Sequence, residues 1–227
     1  MSGGGVWPRL LAYRKKPLTE KVRSVIYRIE GLRDRLYERK RALDFGGYIA
    51  SADLVVECGS STQTASAYEP ISTIACREGI REAIAIAGSF ENFVDVGCGK
   101  GRACIYAAKE FPFRRVVGVD FSKPLVEIAD RNKLKAGLPN VSFVHADATR
   151  WQLPPGKTLV LLFNPFDASV LERFVRANLT SFSEEGSLML YVADIHRSIL
   201  PALGFETVYR SARTVRSIHR YLPKAQA

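Results

Sequence analysis

The 227-residue chain has no apolar run long enough to cross a bilayer. Its longest, Ala103 to Ala108 and Leu188 to Ala193, fall far short of the roughly 20 residues that a spanning helix requires. No transmembrane segment and no integral membrane contact are therefore expected. Cysteines are few, and none of Cys58, Cys76, Cys98 and Cys104 forms a C-x-x-C pair. The three histidines, His145, His196 and His219, lack H-E-x-x-H spacing. Without those patterns, zinc and thiol redox chemistry lose their usual basis, and no metal is predicted. Met1-Ser2-Gly3-Gly4-Gly5 shows no basic segment leading into an apolar one with a cleavage site, so no secretory signal is read and a cytoplasmic location is expected. Disorder and fibrous structure are excluded by composition, with 47% hydrophobic and 25% charged residues. A chain of this size buries enough apolar surface to fold without disulfides or metal.

Charge is abundant and uneven. The net +10 divides into +7 for residues 1–50, which hold 12 Lys/Arg against 5 Asp/Glu, and +3 for the remainder, with 21 against 18. From Thr19 to Arg41, Val22, Val25, Ile26, Ile29, Leu32 and Leu36 recur at three- and four-residue steps, the pattern of a long amphipathic helix. Thr19 is its expected N-cap, and Gly46-Gly47 ends the segment beyond the basic Arg39-Lys40-Arg41. The apolar stripe is expected to pack over the following domain near its substrate entrance, leaving Arg33, Arg39 and Lys40 to meet an acidic partner or RNA. Glu57 to Ser66, rich in Gly, Ser and Thr, reads as a flexible connection. Residues 1–66 are thus assigned to a basic helical arm with its linker, and 67–227 to a second domain.

Beyond Pro70, short β-branched runs alternate with helical segments, as in a sheet built from βαβ units. Strands are predicted at Phe93–Val96, Val116–Asp120, Val141–Asp147, Leu159–Phe163 and Ser187–Val192, apolar on both faces as a covered parallel sheet requires. One helix starts at Ser122 and Pro124, and another carries Val170, Leu171, Phe174 and Val175. Phe205 to Ser211 and Val215 to Leu222 lie too close for a helical crossover and should form a terminal antiparallel hairpin. The fold class is α/β, doubly wound and mostly parallel.

The most informative segment is Asp95-Val96-Gly97-Cys98-Gly99-Lys100-Gly101, where an apolar strand runs into three glycines and then a helix. Such a turn allows close backbone approach, and the helix start favours an anionic ligand group. A dinucleotide-binding G-x-G-x-x-G is absent, because position 102 is Arg. Asp95 near the end of its strand can accept hydrogen bonds from a ligand ammonium or the loop. Asp120 ends the second strand, where a carboxylate can accept from ribose hydroxyls, and Phe121 beside it can cover a base. Asp147, followed by Ala148, ends the third. Three successive strands each deliver an acid to the edge where open α/β sheets bind ligands. His145 reads as a packed, hydrogen-bonded side chain, and Cys98 and Cys104 as small fillers.

With these residues in place, residues 68–222 resemble the class I S-adenosylmethionine-dependent methyltransferases. The resemblance implies S-adenosyl-L-methionine as cofactor and a seven-stranded sheet whose last strand inserts antiparallel. It also implies that Asp95 to Gly101 hold the methionine part, Asp120 the ribose and Asp147 the adenine amino group. Asn164-Pro165-Phe166 after the fourth strand is similar to the N-P-P-Y or N-P-P-F of members that methylate nitrogen, one proline short. Ser66-Ala67-Tyr68-Glu69-Pro70-Ile71-Ser72 resembles the loop before the cofactor strand in non-SET lysine methyltransferases, including the histone-lysine and ATP-synthase c-subunit types. The implied catalytic residues are Asn164, Pro165, Phe166, Tyr68 and Glu69, and the implied acceptor is a protein lysine. The alternatives are RNA, a small-molecule amine, or a non-catalytic scaffold that keeps the cofactor fold.

Overall fold

A computed structural model describes residues 18–54, 66–184, 186–211 and 213–223. The chain divides into two compact units between Lys40 and Arg41. In the first, α1 (Leu18–Lys40) is a single helix with Glu20 in its first turn and Arg39 and Lys40 in its last, charges that complement the helix dipole. It starts at Leu18, which places Thr19 inside the helix rather than at its cap. Val22, Val25, Ile26, Ile29, Leu32 and Leu36 are each exposed on this helix.

The second unit begins well before residue 66, because residues 41–54 are tied into it. Asn132 bonds both the N–H and the carbonyl of Asp44, Phe45 is buried, and Ile49 pairs with Tyr68. The predicted linker at Glu57 to Ser66 lies outside the described residues except for Ser66. No helix among the described residues is long and apolar enough to cross a membrane.

Seven strands form one sheet in the order β3-β2-β1-β4-β5-β7-β6. They are β1 (Asn92–Val96), β2 (Arg115–Asp120), β3 (Val141–His145), β4 (Thr158–Phe163), β5 (Leu188–Val192), β6 (Phe205–Arg210) and β7 (Arg216–Tyr221). The first five pair in parallel; β7 runs antiparallel between β5 and β6, as expected of the terminal hairpin. The chain order reverses between β1 and β4, so a crevice opens beyond their carboxyl ends.

Side-chain alternation builds two cores. Phe93, Leu159, Leu161, Leu188 and Leu190 pack with Ile80 and Ala83 of α2 (Thr73–Ala87) and with Ala103, Cys104 and Ala107 of α3 (Arg102–Glu110). Val94, Val96, Val160, Leu162, Met189 and Tyr191 pack on the other face with α5 (Ala168–Ala177), which presents Val170, Leu171, Phe174 and Val175. Asp167 caps α5 by accepting from Val170 N–H at 2.9 Å. Between them in sequence, α4 (Lys123–Ala136) starts after Ser122 with a proline in its first turn.

One strand departs from the expectation of burial on both faces. β3 is an edge strand in which only Val141 is buried and Ser142 is exposed. It also ends two residues early. Ala146 still donates to Asp120 O at 3.0 Å, but Asp147 turns its carboxylate to the N–H and hydroxyl of Thr149, at 2.9 and 2.8 Å, and bends the chain away.

Candidate active site

Three glycines follow β1 with left-handed backbones: Gly97 (φ +80°), Gly99 (φ +52°) and Gly101 (φ +80°), conformations that disfavour side chains. The space beside each is taken by the protein itself. A Cβ would strike Pro165 at Gly97, the Tyr68 ring at Gly99 and the Phe143 ring at Gly101. The glycines therefore bring the segments carrying Tyr68 and Pro165 down onto the turn, a second use for small residues that spacing alone did not reveal.

A cavity of about 310 Å³ opens there, at the small end of the range for small-molecule sites. Its wall includes Tyr68, Glu69, Asp95, Gly97, Cys98, Gly99, Asp120, Phe121, Ala148, Asn164, Pro165 and Phe166. Of the sequence-predicted site residues, Gly101 and Asp147 stand outside this wall: Gly101 caps α3 against Phe143, and Asp147 faces Thr149. Ser66 of the loop read from the sequence lines the cavity as well, and so do Leu54, Arg102, Leu125, Val170 and Ala193, which were not foreseen. Ala193 had a usable signal, since it follows a strand at the ligand-binding edge; Leu54 and Leu125 had none.

The acids are buried. Asp120 accepts from Gly99 N–H at 2.8 Å and Ser122 N–H at 2.9 Å, so it fastens the glycine turn to the end of β2. Burial pushes its carboxyl upward and these two bonds oppose the rise. Asp95 lacks comparable support, and burial together with Asp120 pushes it up to about 8. Its native carboxyl thus holds a proton that the unfolded chain releases near 4. This group's contribution makes the unliganded protein less stable as pH rises from about 4 to about 8, and has no further effect above that range. Thermal denaturation across that window, comparing wild type with Asp95→Asn, measures it; identical pH profiles would remove the effect. Burial also raises the Cys76, Cys98 and Cys104 thiols, which stay protonated as fillers.

Tyr68 is a structural wall of the site. Its hydroxyl donates to Phe45 O at 2.9 Å, its backbone pairs with Ile49, and Lys100 Nζ lies 5.5 Å from its ring centre. Lys100 also bonds Asp44 Oδ1 at 2.9 Å and Gly46 O at 2.6 Å. Asn132, fully buried, donates to Asp44 O at 2.8 Å and Lys100 O at 3.1 Å and accepts from Asp44 N–H at 2.8 Å. One side chain thereby straps residues 41–54 to the glycine turn. Asn132→Ala should lower stability by about 1–3 kcal/mol, since it removes the partner of the buried Lys100 carbonyl and of the part-buried Asp44 backbone groups. Chemical denaturation checks this, and a loss below about 0.5 kcal/mol would show that the strap holds without it.

Asn164 is the anomaly of the site. Its backbone is left-handed (φ +40°), and its Oδ1 is buried with no hydrogen-bond partner among the described residues. Phe166 beside it is buried and leans on Phe174, with ring centres 6.4 Å apart. His145 is half-buried with Nε2 3.0 Å from Phe121 O, a packed and bonded ring.

The buried carboxylates Asp95 and Asp120, the apolar Phe121, Leu125, Ala146 and Ala148, and the unpartnered acceptor of Asn164 all line one cavity, a set that suits a ligand with cationic, ribose and base parts. Residues 93–186 match the family model described as a methyltransferase domain. Over that stretch, less than half of its length, the chain is similar to a methyltransferase domain, and its seven-stranded sheet has the fold of the class I S-adenosylmethionine-dependent methyltransferases. A tRNA (guanine-N(7)-)-methyltransferase of Pediococcus pentosaceus is 38% identical over 55 residues, 24% of this chain and 26% of that protein. A trans-aconitate 2-methyltransferase of Paracidovorax citrulli is 37% identical over 70 residues, 31% of this chain and 25% of its own length. The matched stretches thus span about a quarter of these relatives. Among solved structures, a ribosomal protein L11 methylase from Lactobacillus delbrueckii subsp. bulgaricus superposes with a TM-score of 0.51 at 16% identity, covering 66% of this chain and 79% of that one, a likeness of fold.

Proposed function

We propose that the protein transfers the methyl group of S-adenosylmethionine to a nitrogen of its acceptor, and that this nitrogen is a protein lysine amine. The observation that carries the reading is the buried, unpartnered Oδ1 of Asn164 in the cavity wall. A buried acceptor without a donor costs stability, and an incoming amine N–H removes that cost on binding. The resemblance of Ser66 to Ser72 to the loop of lysine methyltransferases adds support, because Ser66 to Ile71 line this same cavity.

Asp95 would hold the cofactor's ammonium, Asp120 its ribose hydroxyls, and Phe121, Ala146 and Ala148 its adenine face. Bound S-adenosylmethionine supplies an electrophilic methyl on a sulfonium. Transfer is an in-line displacement in which a nitrogen–carbon bond forms as the carbon–sulfur bond breaks, and the positive charge passes to the nitrogen, which then loses a proton. Alignment is the protein's main contribution, a class of effect that reaches on the order of 7–11 kcal/mol. Asn164 orients the amine, Phe166 gives it an aromatic wall, and Glu69 at the exposed rim receives or directs its proton. Because Asp95 must ionise to meet an ammonium, cofactor affinity should rise by up to about tenfold per pH unit below pH 8 and then level off. Titration calorimetry with S-adenosylhomocysteine reads this, and an affinity constant from pH 6 to 8 would separate Asp95 from the ammonium.

A nucleic-acid nitrogen is the second reading, favoured by the tRNA-modifying relative and by the net charge of +10. Labelled S-adenosylmethionine incubated with the protein and a fractionated lysate distinguishes the two. Protease-sensitive label recovered as methyllysine supports the first; ribonuclease-sensitive label transfers the assignment to RNA.

A further inference from the structure

We infer that α1 is one strand of a two-stranded coiled coil, completed by an acidic helix of a partner protein. Leu18, Val22, Val25, Ile29, Leu32 and Leu36 are spaced four, three, four, three and four apart, which is the a/d pattern of three heptads. Val22 and Ile29 fall at a, and Leu18 and Leu32 at d, choices that suit two strands. The seam is bare, from 46% exposed at Val25 to 65% at Leu36. The opposite face of this 23-residue helix is covered, Asp34 being 2% exposed, so the a/d seam is the side left for a second helix.

The flanks define the occupant. Every g position, Lys21, Arg28 and Arg35, is basic, and so are Arg33 and Lys40 at e. The acids Glu20, Glu30, Asp34 and Glu38 all lie at b, c or f positions, away from the seam, and Asp34 is buried there. A second copy of this chain is disfavoured in either orientation. Parallel pairing sets g against e, placing Arg28 of one copy against Arg33 of the other and Arg35 against Lys40; antiparallel pairing sets g against g and e against e. A flat anionic bilayer fits less well than a helix. A straight helix turns once per about 3.6 residues, so Lys40, about five turns beyond Val22, lies in line with it and charges the apolar stripe. Winding to 3.5 residues per turn moves Lys40 to the flank and keeps the seam apolar. A partner helix with apolar a and d and acidic e and g positions satisfies both seam and flanks.

The full-length protein can be titrated with two synthetic four-heptad peptides, both with Ile at a and Leu at d, one with Glu and the other with Lys at every e and g. Vesicles of phosphatidylserine and phosphatidylcholine provide a third arm. The Glu peptide should bind at least tenfold more tightly than the Lys peptide and weaken with salt. The quadruple variant Arg28→Glu, Arg33→Glu, Arg35→Glu, Lys40→Glu should reverse that preference, a gain that misfolding cannot mimic. Equal binding of both peptides, binding of neither, preference for vesicles over the Glu peptide, or self-association through α1 in the unaltered protein would each overturn the inference.

Discussion

Exchange of Asn164 for glycine should cut methyl transfer by about a hundredfold, the scale of a misaligned reacting group, while raising the melting temperature. The two effects have one cause. Asn164 holds a left-handed backbone, and its Oδ1 is buried without a partner. Glycine removes the backbone strain, about 1–2 kcal/mol, and the orphan acceptor, about 1–3 kcal/mol, against a backbone-entropy cost of about 1 kcal/mol. Alanine removes the acceptor but keeps the strain, so Asn164→Ala should lose turnover without a comparable gain in stability. Cofactor affinity should be nearly unchanged in both, because the interaction matters when the amine is aligned for attack. Single-turnover transfer at saturating cofactor, paired with thermal denaturation, measures both sides. Wild-type rates in both variants would return Asn164-Pro165-Phe166 to the status of an ordinary strand-ending turn.

Asp120→Ala should weaken S-adenosylhomocysteine binding by roughly 1.5–3 kcal/mol, about tenfold to more than a hundredfold, and also destabilise the unliganded protein. The carboxylate accepts from Gly99 and Ser122 at 2.8 and 2.9 Å, and its removal leaves both buried N–H groups unpaired. Gly99 is the residue on which the Tyr68 ring rests, so loosening it disturbs the cavity wall as well as the ribose contact. Asp120→Asn keeps one acceptor oxygen but turns an NH₂ toward the other donor, and should fall between wild type and alanine. An unchanged dissociation constant in a folded Asp120→Ala variant would remove the ribose role.

The sheet was legible because its strands obey simple rules. Leu159–Phe163 is apolar at every position and Phe93–Val96 at every position but Asp95, and both lie between helices on both faces, as a covered parallel strand requires. β3 was overextended because its apolar run continues past the point where Asp147 finds Thr149, a local side-chain bond that competes with the strand ladder. The unit boundary was misplaced for a similar reason. Composition marks Glu57 to Ser66 as loose, but it carries no sign that Asn132, 88 residues from Asp44, clamps the earlier segment. At the site, the glycines, the acids and Asn164 could be named from spacing, whereas the use of each glycine as a seat for Pro165, Tyr68 or Phe143 depends on long-range packing. The exposure of the α1 stripe was equally hidden, since periodicity identifies an apolar face but not what covers it.

The atom that receives the methyl group is the most direct test. The protein is incubated with methyl-labelled S-adenosylmethionine and an acceptor-containing fraction, and the product is treated with mild base. Label that survives base and is located on nitrogen by mass spectrometry is the predicted result, with the yield falling about a hundredfold in Asn164→Gly. Label released by base as volatile methanol would place the methyl on a carboxylate oxygen and contradict the account.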